Sequence, residues 1–191
     1  MAATQAETAA PLTLATPAHG RVFWITGLAG AGKSAVGRGI HERMRARGQT
    51  TVLLDGDDLR QAIAPDLGFS RAERMESGWR NGRLCRLLAA QGVDVVCATI
   101  SMFRECHEWN RAHLPRYFEI YLRVPMEVLI ERDQKGLYSR ALAGEVSNVS
   151  GLDVGVDEPA ASDAVIDNDG SRALDAIVDD VMERIGRWDR Q

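Results

Sequence analysis

From Arg21 onward, short apolar runs alternate along the chain with longer amphipathic segments. Val22-Phe23-Trp24-Ile25, Thr51-Val52-Leu53-Leu54, Val93 to Ala98, Tyr117 to Val124 and Ala164-Val165-Ile166 read as strands. The helical segments are Gly32 to Arg47, ended by Gly48, and Glu73 to Gln91, straight or bent at Gly78 and Gly82. Two more run from Pro125, a favourable helix start, to about Arg132, and from Ser171 to Trp188. This alternation predicts a central parallel sheet covered by helices on both faces, a three-layer α/β sandwich. Between Asp133 and Ser162 the pattern fades into Gly, Asp, Ser and Val, as in a mobile lid or binding loop. Residues 1–19, rich in Ala and Thr with no basic residue before His19, read as a disordered tail and a poor secretory signal. Residues 20–191 read as one domain.

Charge narrows the partners. A net charge of -4 and a pI near 5.6 argue against a general nucleic-acid or anionic-membrane binder. No apolar run approaches the roughly 20 residues that span a bilayer. Cys85, Cys97 and Cys106 form neither a C-x-x-C pair nor a zinc spacing, which implies reduced thiols in a cytoplasmic protein. The cations are lopsided, with two lysines, Lys33 and Lys135, against twenty-one arginines. Lysine is a compact point charge on a flexible stem and arginine a planar fork, so these two lysines mark positions where arginine does not serve.

Lys33 closes Gly27-Leu28-Ala29-Gly30-Ala31-Gly32-Lys33-Ser34, a complete P-loop pattern between the first strand and the first helix. Its glycines let backbone N–H groups turn around phosphate oxygens, and the helix N-terminus adds partial positive charge. Gly27 to Ala35 is therefore the candidate ATP site, with Lys33 on the β- and γ-phosphates and Ser34 on Mg²⁺. A GTPase would need N-K-x-D, and neither lysine follows an Asn. Asp167-Asn168-Asp169-Gly170 lies after the last strand and reads as a turn. The chain is short for a motor or transport ATPase, which leaves a small-molecule kinase.

The second strand runs into Leu54-Asp55-Gly56-Asp57-Asp58. Ligands of parallel sheets sit outside the carboxyl ends of the strands. A carboxylate there can take the proton of an attacking hydroxyl and orient it for in-line transfer. Asp57 is the candidate base, Asp58 the candidate cap of the next helix, and Asp55 a candidate Mg²⁺ partner through water. Arg60, Arg74 and Arg80 follow, near Phe69 and Trp79. Arginine grips phosphate or sulfate bidentately, and aromatics stack on bases. Arg38, Arg43, Arg45 and Arg47, on the helix after the P-loop, are left to solvent.

Leu54-Asp55-Gly56-Asp57, Asp66-Leu67-Gly68-Phe69-Ser70, Ile100-Ser101-Met102-Phe103-Arg104 and Arg132-Asp133-Gln134-Lys135-Gly136-Leu137-Tyr138 resemble, in that order, the adenylylsulfate kinases. The resemblance spans about Arg21 to Gly170. It implies a P-loop kinase fold, ATP and Mg²⁺ as cofactors, a small nucleotide as partner, and a homodimer. The implied reaction moves the ATP γ-phosphate to the ribose 3′-hydroxyl of adenosine 5′-phosphosulfate. It makes Asp57 the base, Arg60 and Arg74 the phosphosulfate grips, and Phe69 the ring stacked on the substrate adenine. Ile100 and Ser101 resemble the substrate-facing turn, and Lys135 the lid lysine closing over the phosphates. Ser77, Leu137 and Val149 complete the implied acceptor contacts. Some descriptions of the family phosphorylate the serine; an aspartate base favours direct transfer.

The departures cluster on the acceptor side. Ser77 stands for a substrate-binding Asn, Met102-Phe103 for Pro-Tyr, and Val149-Ser150-Gly151 for Phe-Thr-Gly. Losing the second stacking ring costs on the order of 1–3 kcal/mol on the scale of aromatic–base stacking. A changed acceptor base would look the same. The Asn148 to Asp153 stretch resembles a branch of the family, the cytidine diphosphoramidate kinases. The alternative from another class is a nucleotide-binding regulatory protein without kinase activity. Asp57, Ser34 and both lysines speak against it.

Overall fold

The structure is a computed structural model that describes residues 19–190. The expected tail, apart from His19, lies outside the described residues. Five parallel strands are ordered β2-β3-β1-β4-β5. They are β1 (Val22–Thr26), β2 (Thr51–Asp55), β3 (Asp94–Ala98), β4 (Tyr117–Arg123) and β5 (Ala164–Asp167). The helices are α1 (Lys33–Ala46), α2 (Gly56–Ile63), α3 (Arg71–Ala89), α4 (Arg104–His113), α5 (Met126–Arg132), α6 (Leu137–Leu142) and α7 (Leu174–Trp188).

Strand periodicity divides β1 between two cores. Phe23 and Ile25 join Val36 and Ile40 of α1 and Val178 and Val181 of α7 on one face. Val22 and Trp24 join Cys85 and Ala89 of α3 on the other. The predicted three-layer sandwich is what forms. The chain crosses β3 in passing from β1 to β2 and returns past β1 from β3 to β4, so the ends of β1 and β3 flank the crevice where such sheets bind ligands.

Helix α3 is one helix, and it starts two residues before the predicted Glu73. Ser70 and Glu73 form a reciprocal capping box, and Glu73 also accepts from Gly68 N at 2.9 Å. Gly78 and Gly82 do not interrupt it. A Cβ at Gly82 would lie 2.7 Å from Asn110 Oδ1, and one at Gly78 2.9 Å from Cys106 Sγ, so both glycines admit α4. Helix α4 carries no apolar stripe to announce it, because two of its three buried residues, His107 and Asn110, are polar. His107 Nδ1 lies 2.6 Å from Glu119 Oε1 on β4, which also accepts from Tyr117 Oη at 2.7 Å.

The stretch expected to be irregular is ordered at its start. Gln134–Gly136 forms a 3-10 turn leading into α6, with Asp133, Lys135 and Gly136 at φ 33°, 61° and 66°. Arg43 departs from its expected place in solvent and bonds Asp179 at 3.0 Å and Asp175 at 3.3 Å, tying α1 to α7. Cys85, Cys97 and Cys106 are unbridged and buried. No helix among the described residues is long and apolar enough to cross a membrane.

Candidate active site

The P-loop bends where β1 ends. Gly27, Gly30 and Gly32 have φ of 151°, 78° and 92°, and a Cβ at Gly27 would lie 2.6 Å from Leu122 O. Lys33, Ser34 and Ala35 form the first turn of α1, Ser34 and Ala35 being exposed. Lys33 Nζ donates to Leu28 O at 2.8 Å. Desolvation pushes this ammonium down to about 8, against the pull of Asp55 and Asp57.

At the end of β2, Asp55 Oδ1 accepts from Asp57 N at 3.0 Å and caps α2. The cap is thus Asp55, not Asp58, because the helix begins at Gly56 and a capping side chain reaches an N–H two residues on. Asp58 is exposed in the first turn. Asp57 Oδ2 accepts from Lys135 Nζ at 2.8 Å, and this bond raises the ammonium's pKa. The carboxylates of β2, both lysines and the P-loop therefore meet at the carboxyl edge of the sheet.

Phe69, 51% exposed, is held between arginines. The Arg60 guanidinium lies 4.4 Å from its ring centroid and that of Arg74 5.2 Å. Arg60 Nη1 donates to Leu67 O at 3.0 Å and Gly68 O at 2.9 Å, and Arg74 Nε to Phe69 O at 2.8 Å. Desolvation, then the like charge of Arg60, brings Arg74 down to about 10. Arg80 lies outside this group. It bonds both oxygens of Asp66, at 2.6 and 2.9 Å, and Ile63 O, at 3.1 Å, and so braces α2 against α3.

After β3, Thr26 Oγ1 donates to Ile100 O, and the Ser101 hydroxyl lies 3.1 Å from Thr99 Oγ1. Ser101 is buried at φ 29°, and Ser77 is buried on α3. Val149 is not presented as the resemblance implies, whereas Leu137 keeps part of its surface exposed. Leu137 packs partly against the main core, and Val149 is 2% exposed within it. Asn148 turns the chain at φ 63°, and Asp153 accepts from the N–H groups of both Asn148 and Val149. That turn sends the Val149 side chain inward. Arg74 Nη2 reaches Asn148 O at 2.5 Å, which ties the segment to α3 through its backbone.

Three residues that sequence reasoning passed over touch the P-loop. Tyr138 Oη donates to Ala29 O at 2.9 Å, Arg132 Nη1 to Gly30 O at 3.3 Å, and Asn168 Nδ2 to Ala31 O at 2.9 Å. Asn168 is thus more than part of a turn. No sequence signal marks that contact; Arg132 and Tyr138 flank Lys135 in one motif.

Known proteins resemble this chain in sequence and in fold. The model of the adenylylsulphate kinase family matches residues 19–167. The cytidine diphosphoramidate kinase of Campylobacter jejuni is 37% identical over 164 residues, covering 86% of this chain and 95% of that protein. A probable adenylyl-sulfate kinase of Archaeoglobus fulgidus is 38% identical over 152 residues, 78% of this chain and 96% of that one. The structure of a Mycobacterium tuberculosis APS kinase in complex with AMPPNP and APS matches with a TM-score of 0.83 at 32% identity, covering 89% and 99% of the two chains. By its sequence, its fold and its P-loop, the chain belongs to the adenylylsulphate kinase family, phosphotransferases that act on a hydroxyl group.

Proposed function

We propose that the protein is a Mg²⁺- and ATP-dependent kinase that phosphorylates a ribose hydroxyl of a small nucleotide, with adenosine 5′-phosphosulfate as the acceptor. The observation that carries this is the pairing of Asp57 with Lys135 at 2.8 Å beside Lys33. Asp57 accepts the proton of the acceptor hydroxyl. The freed oxygen lone pair attacks the γ-phosphorus in line, the bond to the β-γ bridging oxygen breaks, and ADP departs. Lys33 from the P-loop and Lys135 from the 3-10 turn offset the charge on the transferred group. Among the described residues no three His, Cys, Asp or Glu side chains form a metal cage. Ser34 and Asp55 are a sparse oxygen set, which suits Mg²⁺, an ion that keeps waters and shares phosphate oxygens. When bound, held by Ser34 and through water by Asp55, it would supply positive charge that offsets the charge of the triphosphate.

One observation favours a second reading, cytidine diphosphoramidate as acceptor. With Val149 in the core, Phe69 is the base platform without a second ring, and the Campylobacter relative bears that activity in its name. Incubating purified protein and ATP with each nucleotide decides between them; turnover of the cytidine nucleotide alone would replace the acceptor. In either case Phe69→Ala is expected to raise the acceptor KM about tenfold or more, from 1–3 kcal/mol of lost stacking, with the KM for ATP unchanged. Equal KM values for variant and parent would remove Phe69 from the site. Buried, unbridged cysteines support a reducing, cytoplasmic setting, and the family resemblance supports a homodimer.

A further inference from the structure

Three consecutive P-loop carbonyls, those of Ala29, Gly30 and Ala31, accept hydrogen bonds from side chains outside the loop. A trans peptide directs its C=O and N–H to opposite sides, so each held carbonyl also fixes the direction of the next residue's N–H. Those N–H groups are what a P-loop offers to phosphate. Of the three donors, Arg132 also bonds Asn168 O at 2.8 Å, and Tyr138 is the one whose own backbone closes the Lys135 turn. Its backbone N–H donates to Asp133 Oδ1 at 2.8 Å, and Ser139 N donates to the same oxygen at 3.1 Å. These bonds close the turn in which Lys135 stands at φ 61°, ψ 23°. A lysine in left-handed backbone persists only where its surroundings over-determine it. Here the surroundings include the Tyr138 ring, 0% exposed, in the core with Leu129 and Val149. Burial also pushes the Tyr138 hydroxyl up to about 12, so it stays a donor through the neutral range.

We infer that Tyr138 is a positioning residue for phosphoryl transfer. Its ring seats the Lys135 turn in the core, and its hydroxyl locks that turn to the P-loop carbonyl of Ala29. Lys135 and the phosphate-binding N–H groups are thereby held at one spacing. The inference rests on the kinase reading above. Its test is a cycle of Tyr138→Phe in the parent and in a Lys135→Ala background. Tyr138→Phe keeps the ring, so it should fold as the parent does and melt within about 2–4 °C of it, the shift of one lost hydrogen bond. The expected kcat loss is about tenfold, the scale of one buried hydrogen bond. In the Lys135→Ala background the same change should cost clearly less, since only the P-loop N–H remains for it to hold. Asp133→Gly, which removes the acceptor of both N–H groups, tolerates φ 33° and does not touch the P-loop, should repeat the pattern. An unaltered kcat in Tyr138→Phe, or an equal loss in both backgrounds, would overturn the inference. The cycle is also read on the background hydrolysis of ATP, so a parent that phosphorylates neither nucleotide sinks the kinase reading while the positioning role is still decided.

Discussion

Asp57→Asn is expected to lower kcat by about 10²- to 10⁴-fold while leaving ATP binding in place, the span that a positioned general base contributes. Asparagine is nearly isosteric and keeps the backbone N–H that Asp55 needs to cap α2. What it lacks is a site for the proton leaving the ribose hydroxyl. It also lacks the charge that holds Lys135 at 2.8 Å. The Asp57 and Lys135 side chains are 75% and 74% exposed, and an ion pair in solvent contributes little to stability. The melting temperature should therefore stay where it was. Steady-state kinetics with both substrates, beside a thermal melt, makes the comparison. A variant within a few-fold of the parent would place the base elsewhere.

Lys33→Met has the second large effect, and its two consequences point in opposite directions. Activity should fall by about 10²- to 10³-fold, as when one preorganised charge donor is removed from a transition state. Stability should rise. The folded-state pKa of about 8 lies below the ordinary 10.5, so at neutral pH the fold carries a desolvated charge. Methionine keeps the apolar stem and removes that penalty, which is on the order of 3 kcal/mol. Below pH 8 both folded and unfolded chains hold the proton, and the penalty is constant. Between 8 and 10.5 the unfolded chain binds more protons, so the parent gains stability as pH rises and the gap to the variant narrows. The parent's kcat/KM for ATP should decline above about pH 8, as the free enzyme loses this proton. A variant that melts lower than the parent at pH 7 would contradict the buried-charge account.

Much of this site was legible because its chemistry is local in sequence. The P-loop needs consecutive residues between a strand and a helix, and Asp57 follows its strand by two positions. The strands announced themselves as apolar runs. Helix α4 did not, because His107 and Asn110 face inward, and Glu119, twelve positions beyond His107, gives that histidine its partner. The turn presenting Lys135 was hidden for another reason. Its left-handed residues interrupt any period, and the Tyr138 bond that explains it spans 109 positions. Asn168 sits in a stretch with turn composition, yet its partner Ala31 is 137 positions away. Val149 shows the same limit. Whether it faces substrate or core is decided by the left-handed Asn148 and the Asp153 carboxylate, not by its own type. Asp55, Asp57 and Asp58 are equally good caps by type, and the start of α2 at Gly56 picks the first.

Transfer of phosphate to a ribose hydroxyl leaves its mark on the products. Phosphorus NMR of the products formed from ATP and adenosine 5′-phosphosulfate, with cytidine diphosphoramidate in parallel, tests it most directly. A new ribose phosphomonoester on the adenosine nucleotide is expected, appearing one for one with ADP. Binding of ATP with no phosphate moved onto either nucleotide would contradict it.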